Sequence, residues 1–311
     1  TTSFSKKIMN ELAIESDEMA SFMLGAGNFF IKNSEIESVK SQISRKIDEK
    51  DEEFFRNIQK VGEKYFNEAL KLSETIGGME PTAENFLKYL RVAKNVNLLW
   101  MLGAEQISVA AEEKLRDQVV LENFPAENVG HIVPALITPL ATQYKEVVEF
   151  KNEINERTLE DLKKDSSIYK RLEDHAKKFS WIEVANFEGN SLTVERLYEQ
   201  IIHTKSETNE ELVSVQPSEE LMFRARCLSH SGYIKQGGAE YFGILAESAR
   251  PFFNAITRVI GITYDDFLYM RDTEIVDALK GVLSAKEIIE RTPTRKKMES
   301  ALFTDKNGGV H

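Results

Sequence analysis

Five histidines, at positions 131, 175, 203, 230 and 311, and one cysteine, Cys227, carry the side chains best suited to proton transfer or nucleophilic attack near neutral pH. Their spacing limits what they can do. A metal centre needs ligands close in sequence or on one helix face, as in His-Glu-x-x-His, Cys-x-x-Cys or paired Glu-x-x-His. None of these patterns occurs, so metal catalysis is not expected. Gly25-Ala26-Gly27 lacks the third glycine and the preceding strand of a dinucleotide loop, and reads as a close helix packing point. A Gly-x-Ser-x-Gly elbow and a phosphate-loop Gly-Lys-Ser/Thr are both missing.

Cys227 sits at helical spacing among Met222, Phe223 and Leu228, with His230 as its nearest base, and reads as a buried structural thiol. The densest cationic group is Arg224-Ala225-Arg226 with Lys235. Guanidinium groups hold phosphoryl and carboxylate oxygens through paired hydrogen bonds, so Arg224, Arg226 and Lys235 are the candidate substrate-binding residues, as anchors for a phosphoryl group or an anionic acceptor. The plainer alternative is that they are solvated or paired within their helix. No residue is nominated as catalytic. His175, Lys177 and Lys178 close an amphipathic helix whose last carbonyls they complement, with Trp181 in the core.

The elements that would position these residues are helical almost throughout. A chain of 311 residues with 41% hydrophobic content can fill one large core or two ordinary ones. Its formal charge of -11 argues against a nonspecific nucleic-acid partner, which needs cationic surface to displace counterions. A lone cysteine suits a reducing compartment, and no apolar run is long enough for a membrane span, so a soluble cytoplasmic chain is expected. The start lacks both an initiator Met and a signal core, which suggests processing or excision from a longer protein.

Between residues 51 and 76 the apolar positions Phe54, Ile58, Val61, Tyr65, Ala69, Leu72 and Ile76 share one helical face, which Gly77-Gly78 ends. Thr82 caps a second long segment running toward Val120, and the two predict a pair of long antiparallel helices. Further helices are predicted over residues 141–156, 167–179, 193–203 and 217–233. Another is expected over 239–260, kinked or divided by Pro251. Short helices, each opened by Thr or Ser, follow over 263–268, 273–279 and 284–291. Residues 301–311 contain an apolar run entering Asn307-Gly308, which predicts a short β-strand or hairpin remnant. The expected class is therefore all-α, with a long-helix portion over 1–130, a helical portion over 131–300 and the start of a truncated β-hairpin over 301–311.

Two stretches carry a family resemblance. Residues 172–182, Leu-Glu-Asp-His-Ala-Lys-Lys-Phe-Ser-Trp-Ile, followed by Gly189 and Thr193, resemble a His, Lys-aromatic-x-Trp, then Gly-x-x-x-Thr pattern. Residues 239–243 and 260–275, with Gly261-Ile262, the acidic Asp265-Asp266, Leu268-Tyr269 and Thr273-Glu274-Ile275, resemble the helical region that precedes a mobile domain. Both patterns are similar to phosphoenolpyruvate-utilising enzymes of the phosphoenolpyruvate synthase and rifampicin phosphotransferase type, over roughly residue 141 onward. There an ATP-grasp domain phosphorylates a histidine on a swivelling domain, which carries the phosphate to an acceptor.

The resemblance implies that this chain is the central acceptor-binding and linker region. Its partners would then be a small-molecule acceptor together with the ATP-grasp and phosphohistidine domains of the same polypeptide. ATP and Mg would serve those domains, with no cofactor in this chain. The carrier motif, roughly Thr-Ser-His-Ala-Ala, is not matched: Leu228-Ser229-His230-Ser231-Gly232 shares only Ser-His, so His230 is not the phosphocarrier. The rival expectation is a free-standing helical interaction module without catalysis.

Overall fold

The computed structural model describes residues 2–15, 33–154, 157–183, 191–204 and 215–297, and within them every regular element is helical. In chain order these are α1 (Thr2–Glu11), α2 (Asn33–Asp48), α3 (Glu52–Ile76), α4 (Ala83–Leu102), α5 (Ser108–Leu121), α6 (Val129–Ile132) and α7 (Pro139–Ile154). They continue with α8 (Leu159–Lys164), α9 (Ser166–Lys178), α10 (Val194–His203), α11 (Glu219–Ile260), α12 (Tyr264–Leu268), α13 (Asp272–Leu279) and α14 (Ala285–Lys297). The all-α expectation holds among the described residues. The anticipated β remnant over 301–311 and the Gly25-Ala26-Gly27 packing point lie outside them.

Local chemistry explains where the long helices start. Asp51, Thr82 and Ser218 each accept a hydrogen bond from the amide three residues on, satisfying one donor that the first turn leaves open. Glu52 and Glu53 on α3, and Glu219 and Glu220 on α11, place negative charge at the positive ends of their helix dipoles. At its far end α11 stops at Gly261, whose φ of 85° is the left-handed conformation that glycine adopts without a Cβ clash.

The sequence predicts two helices over 217–233 and 239–260, but α11 is one helix of 42 residues. Pro251 removes one amide donor without dividing it, and Gly237-Gly238 does not break it either. Those glycines are packing positions: a Cβ on Gly237 would lie 2.4 Å from the Phe66 ring, and one on Gly238 2.6 Å from Cα of Trp100. Tertiary contact outweighs the roughly 1 kcal/mol by which glycine disfavours a helix interior. A second correction concerns α13, which opens at Asp272 after Arg271 rather than on Thr273.

Contacts along α11 set the topology. Going up α11, Arg226 meets Glu52, Ile234 meets Gly62, Tyr241 stacks on Phe66 at 4.7 Å, and Ser248 and Pro251 meet Gly77, so α3 runs parallel to it. Arg224 meets Lys114, Lys235 meets Gly103 and Phe253 meets Tyr89, so α4 and α5 run antiparallel to it. Helices α4 and α5 form one rod joined by a π-helical turn at Gly103–Ile107. This gives the predicted antiparallel pair, α3 and α4, with α11 laid against both.

The main core gathers apolar residues of α1 to α5 and α11 to α13, with Tyr65, Phe55, Phe66 and Phe252 fully buried. A second core lies among α7 to α10 and the helical turn Ser180–Glu183, around Phe150, Leu162, Leu172, Trp181 and Leu197. Several contacts tie it to α11, among them Ser191 donating to Glu247. Trp181 packs on Gly243, and the buried carboxylate of Glu240 accepts from Thr138 Oγ1 at 2.9 Å and from the Leu140 amide at 2.8 Å. The Leu140 amide belongs to the first turn of α7, where a carboxylate is favoured.

Candidate functional site

Parallel packing of α3 and α11 brings two stripes of side chains together at their N-terminal ends. Glu52, Phe55 and Arg56 of α3 and Phe223, Arg226, Cys227 and His230 of α11 line a cleft of about 310 Å³, near the lower end of the size range for small-molecule sites. The spacings of three, four and seven residues put each set on one helix face. Phe55, Phe223 and Cys227 are buried and make an apolar floor. The charged and imidazole groups form the rim.

Charge on the rim is balanced. Glu52 accepts from Arg56 at 2.7 Å and from Arg226 at 3.2 Å, and Arg226 also donates to Glu219 at 3.0 Å. Arg226 thereby ties the acidic first turns of α3 and α11 to each other. Its pKa is raised by Glu219, against the desolvation that opposes it, and then by Glu52. Burial pushes the Cys227 thiol up to about 12, so at neutral pH it is a neutral thiol and not a nucleophile. His230 is held below the usual imidazole range by burial, and then by Arg56 and Arg226, with Glu52 opposing. It is therefore neutral at pH 7 and available as a base.

The three candidate anchors do not converge. Arg226 reaches the cleft. Arg224, two residues earlier and so about 200° around the helix, instead donates to Glu220 at 2.8 Å and to the Lys114 carbonyl at 2.9 Å. It fastens α5 to α11. Lys235 lies nine residues past Arg226, roughly 13 Å along the axis, and its side chain is exposed while its backbone packs on Gly103. The α3 half of the cleft was not anticipated. Its signal was a polar stripe, Glu52, Arg56 and Gln59, beside the apolar face of α3, but nothing local says which helix that stripe faces.

A second titratable cluster joins α7 to α9. His175 is 3% exposed, its Nδ1 lies 2.8 Å from Glu146 Oε2, and Lys178 donates to Glu146 Oε1 at 2.7 Å. Phe150 and Phe179 enclose the ring. Burial holds the His175 pKa down against the pull of Glu146. The cluster closes the second core, where Trp181 also lies, as the sequence leads one to expect.

Among the described residues no group of three or more His, Cys, Asp or Glu side chains is placed to hold a metal ion, and no helix is long and apolar enough to cross a membrane. No protein-family model, curated protein or solved structure matches the chain.

Proposed function

We propose that this chain is the helical acceptor-binding and linker region of a histidyl phosphotransfer enzyme of the phosphoenolpyruvate-utilising type, with the α3–α11 cleft as its acceptor pocket. The observation that carries the reading is that cleft: about 310 Å³, with an apolar floor and a polar rim, between two long helices that hold its walls rigid. The motif resemblance over the second half of the chain supplies the reaction class. On this reading ATP and Mg act on an ATP-grasp domain, and phosphate reaches the acceptor through a swivelling phosphohistidine domain. This chain contributes the binding and orientation of the acceptor, which lowers the barrier by fixing the reacting oxygen in place.

The test uses the intact natural gene product. Incubated with Mg and ATP labelled in its β- and γ-phosphates, it should acquire acid-labile label on a histidine and pass it to an acceptor. Arg226→Ala should lower acceptor turnover by about tenfold or more while leaving self-labelling unchanged, because Arg226 shapes the cleft. Arg224→Ala should leave turnover within about twofold, since its partners, Glu220 and the Lys114 carbonyl, lie outside the cleft lining. A gene product that takes up no label would overturn the phosphotransfer reading in favour of a helical interaction module.

A further inference from the structure

The neighbours of His230 determine which ring nitrogen holds its proton. Gln59 and Glu63 lie one turn apart on α3, and Gln59 Nε2 donates to Glu63 Oε1 at 2.9 Å. That bond turns the amide oxygen of Gln59 the other way, where Oε1 lies 2.8 Å from His230 Nδ1. A carbonyl oxygen can only accept, so Nδ1 must donate, and a neutral imidazole has one proton to give. Nε2 is left with its lone pair. The relay from Glu63 through Gln59 to His230 thus selects one tautomer, as an orienting acceptor does for histidines elsewhere.

The other lining groups offer a ligand less. Arg56 and Arg226 are donors already engaged by Glu52 and Glu219. An incoming anion would have to displace those carboxylates, at the cost of leaving them close to one another and unpaired. Phe55 and Phe223 offer only apolar contact, and Cys227 a weak thiol.

We propose that His230 Nε2 is the hydrogen-bond acceptor that selects the ligand of this cleft, a small molecule with an apolar body against Phe55 and Phe223 and a hydroxyl or N–H donor directed at the imidazole. The inference rests on the preceding reading of the cleft as a small-molecule site. It extends that reading to the chemistry of the ligand, and places a neutral base beside the group that would lose a proton during transfer.

The experiment follows the His230 imidazole nitrogens by NMR in the full chain at neutral pH while phenol, and separately anisole, is added. Both probes have the same flat body, but only phenol can donate. The free protein should show the Nδ1–H tautomer. Phenol should move the Nε2 resonance and bind about tenfold more tightly than anisole, and Gln59→Leu, which removes the tautomer's anchor, should erase most of that preference. His230→Phe should do the same without opening a cavity in the cleft wall.

An Nε2–H tautomer or an imidazolium at neutral pH overturns the proposal directly. Equal binding of the two probes, seen at Phe55 and Phe223, also overturns it but leaves the cleft as a small-molecule site. If neither probe disturbs Phe55 or Phe223, the cleft itself is lost as a site and the preceding reading falls with it.

Discussion

Gly238→Ala should lower the thermal midpoint of the chain by roughly 4 °C, a larger effect than most core truncations produce for a change of one methyl group. A Cβ at this position would lie 2.6 Å from both Cα and Cβ of Trp100 and 2.7 Å from its backbone nitrogen. Two of those atoms belong to the α4 backbone, which cannot swing aside as a side chain can. The helices must separate. The same crossing is tight from the opposite side, where a Cβ on Gly103 would meet the Lys235 nitrogen at 2.7 Å.

Alanine gains about 1 kcal/mol of helix propensity over glycine. Overpacking a well-filled core typically costs about 1–3 kcal/mol and more where the backbone must move, so strain wins and the net loss is about 3 kcal/mol. Gly130→Ala is the matched control, because Gly130 lies in α6 with nothing within 4 Å of an added Cβ. It should be neutral or slightly stabilising. Equal melting curves for Gly238→Ala and the natural chain would show that α4 and α11 are not held at backbone contact.

The pair Gly237 and Gly238 shows where local reading stops. Thr82, Thr193 and Thr263 could be read as caps because capping is settled within three or four residues, and each does accept from the amide three residues on. Gly237-Gly238 reads locally as a break. Only the facing Phe66 ring and Trp100 backbone reveal that the missing side chains make room for neighbours. The π-helical turn at Gly103–Ile107 was equally hidden, since its residues are ordinary helix formers apart from Gly103.

The candidate site divides in the same way. Arg226 and His230 stand four residues apart on one face and are visible together in the sequence. Arg224 looks equivalent to Arg226 by composition, yet the helical rotation between them sends one to a cleft and the other to a carbonyl on α5. Glu52, Arg56 and Gln59 join the site only because α3 lies parallel to α11, a pairing between residues about 170 positions apart. No periodicity within either helix carries that information.

Acid should unlatch α13 from α14, and Glu274→Gln should remove that pH dependence. Glu274 binds Arg295 through two hydrogen bonds of 2.6 Å, accepts from Arg291 at 3.2 Å, and accepts from the Arg271 amide at 3.0 Å. Arg295 is the largest influence on its carboxyl. Against the opposing effect of burial, and with help from the Arg271 amide and Arg291, it draws the pKa down from 4.5 to about 2. A carboxyl that is more acidic folded than unfolded stabilises the fold fully above the unfolded value and loses that contribution as pH falls through the folded one. The window is therefore pH 4.5 down to about 2.

The full shift corresponds to about 3 kcal/mol, but Arg295 is a quarter exposed and Arg291 half exposed, so solvent screening reduces this to roughly 2 kcal/mol. Glutamine keeps one acceptor oxygen and cannot satisfy both arms of the guanidinium. Urea unfolding at pH 6 should then show Glu274→Gln less stable by roughly 2 kcal/mol, with the gap closing toward pH 2 as the natural carboxyl takes up its proton. A gap that stays constant over that range would mean the substitution acts through packing or helix capping instead of charge. No gap at either pH would mean that α14 is not held to α13 through this carboxylate.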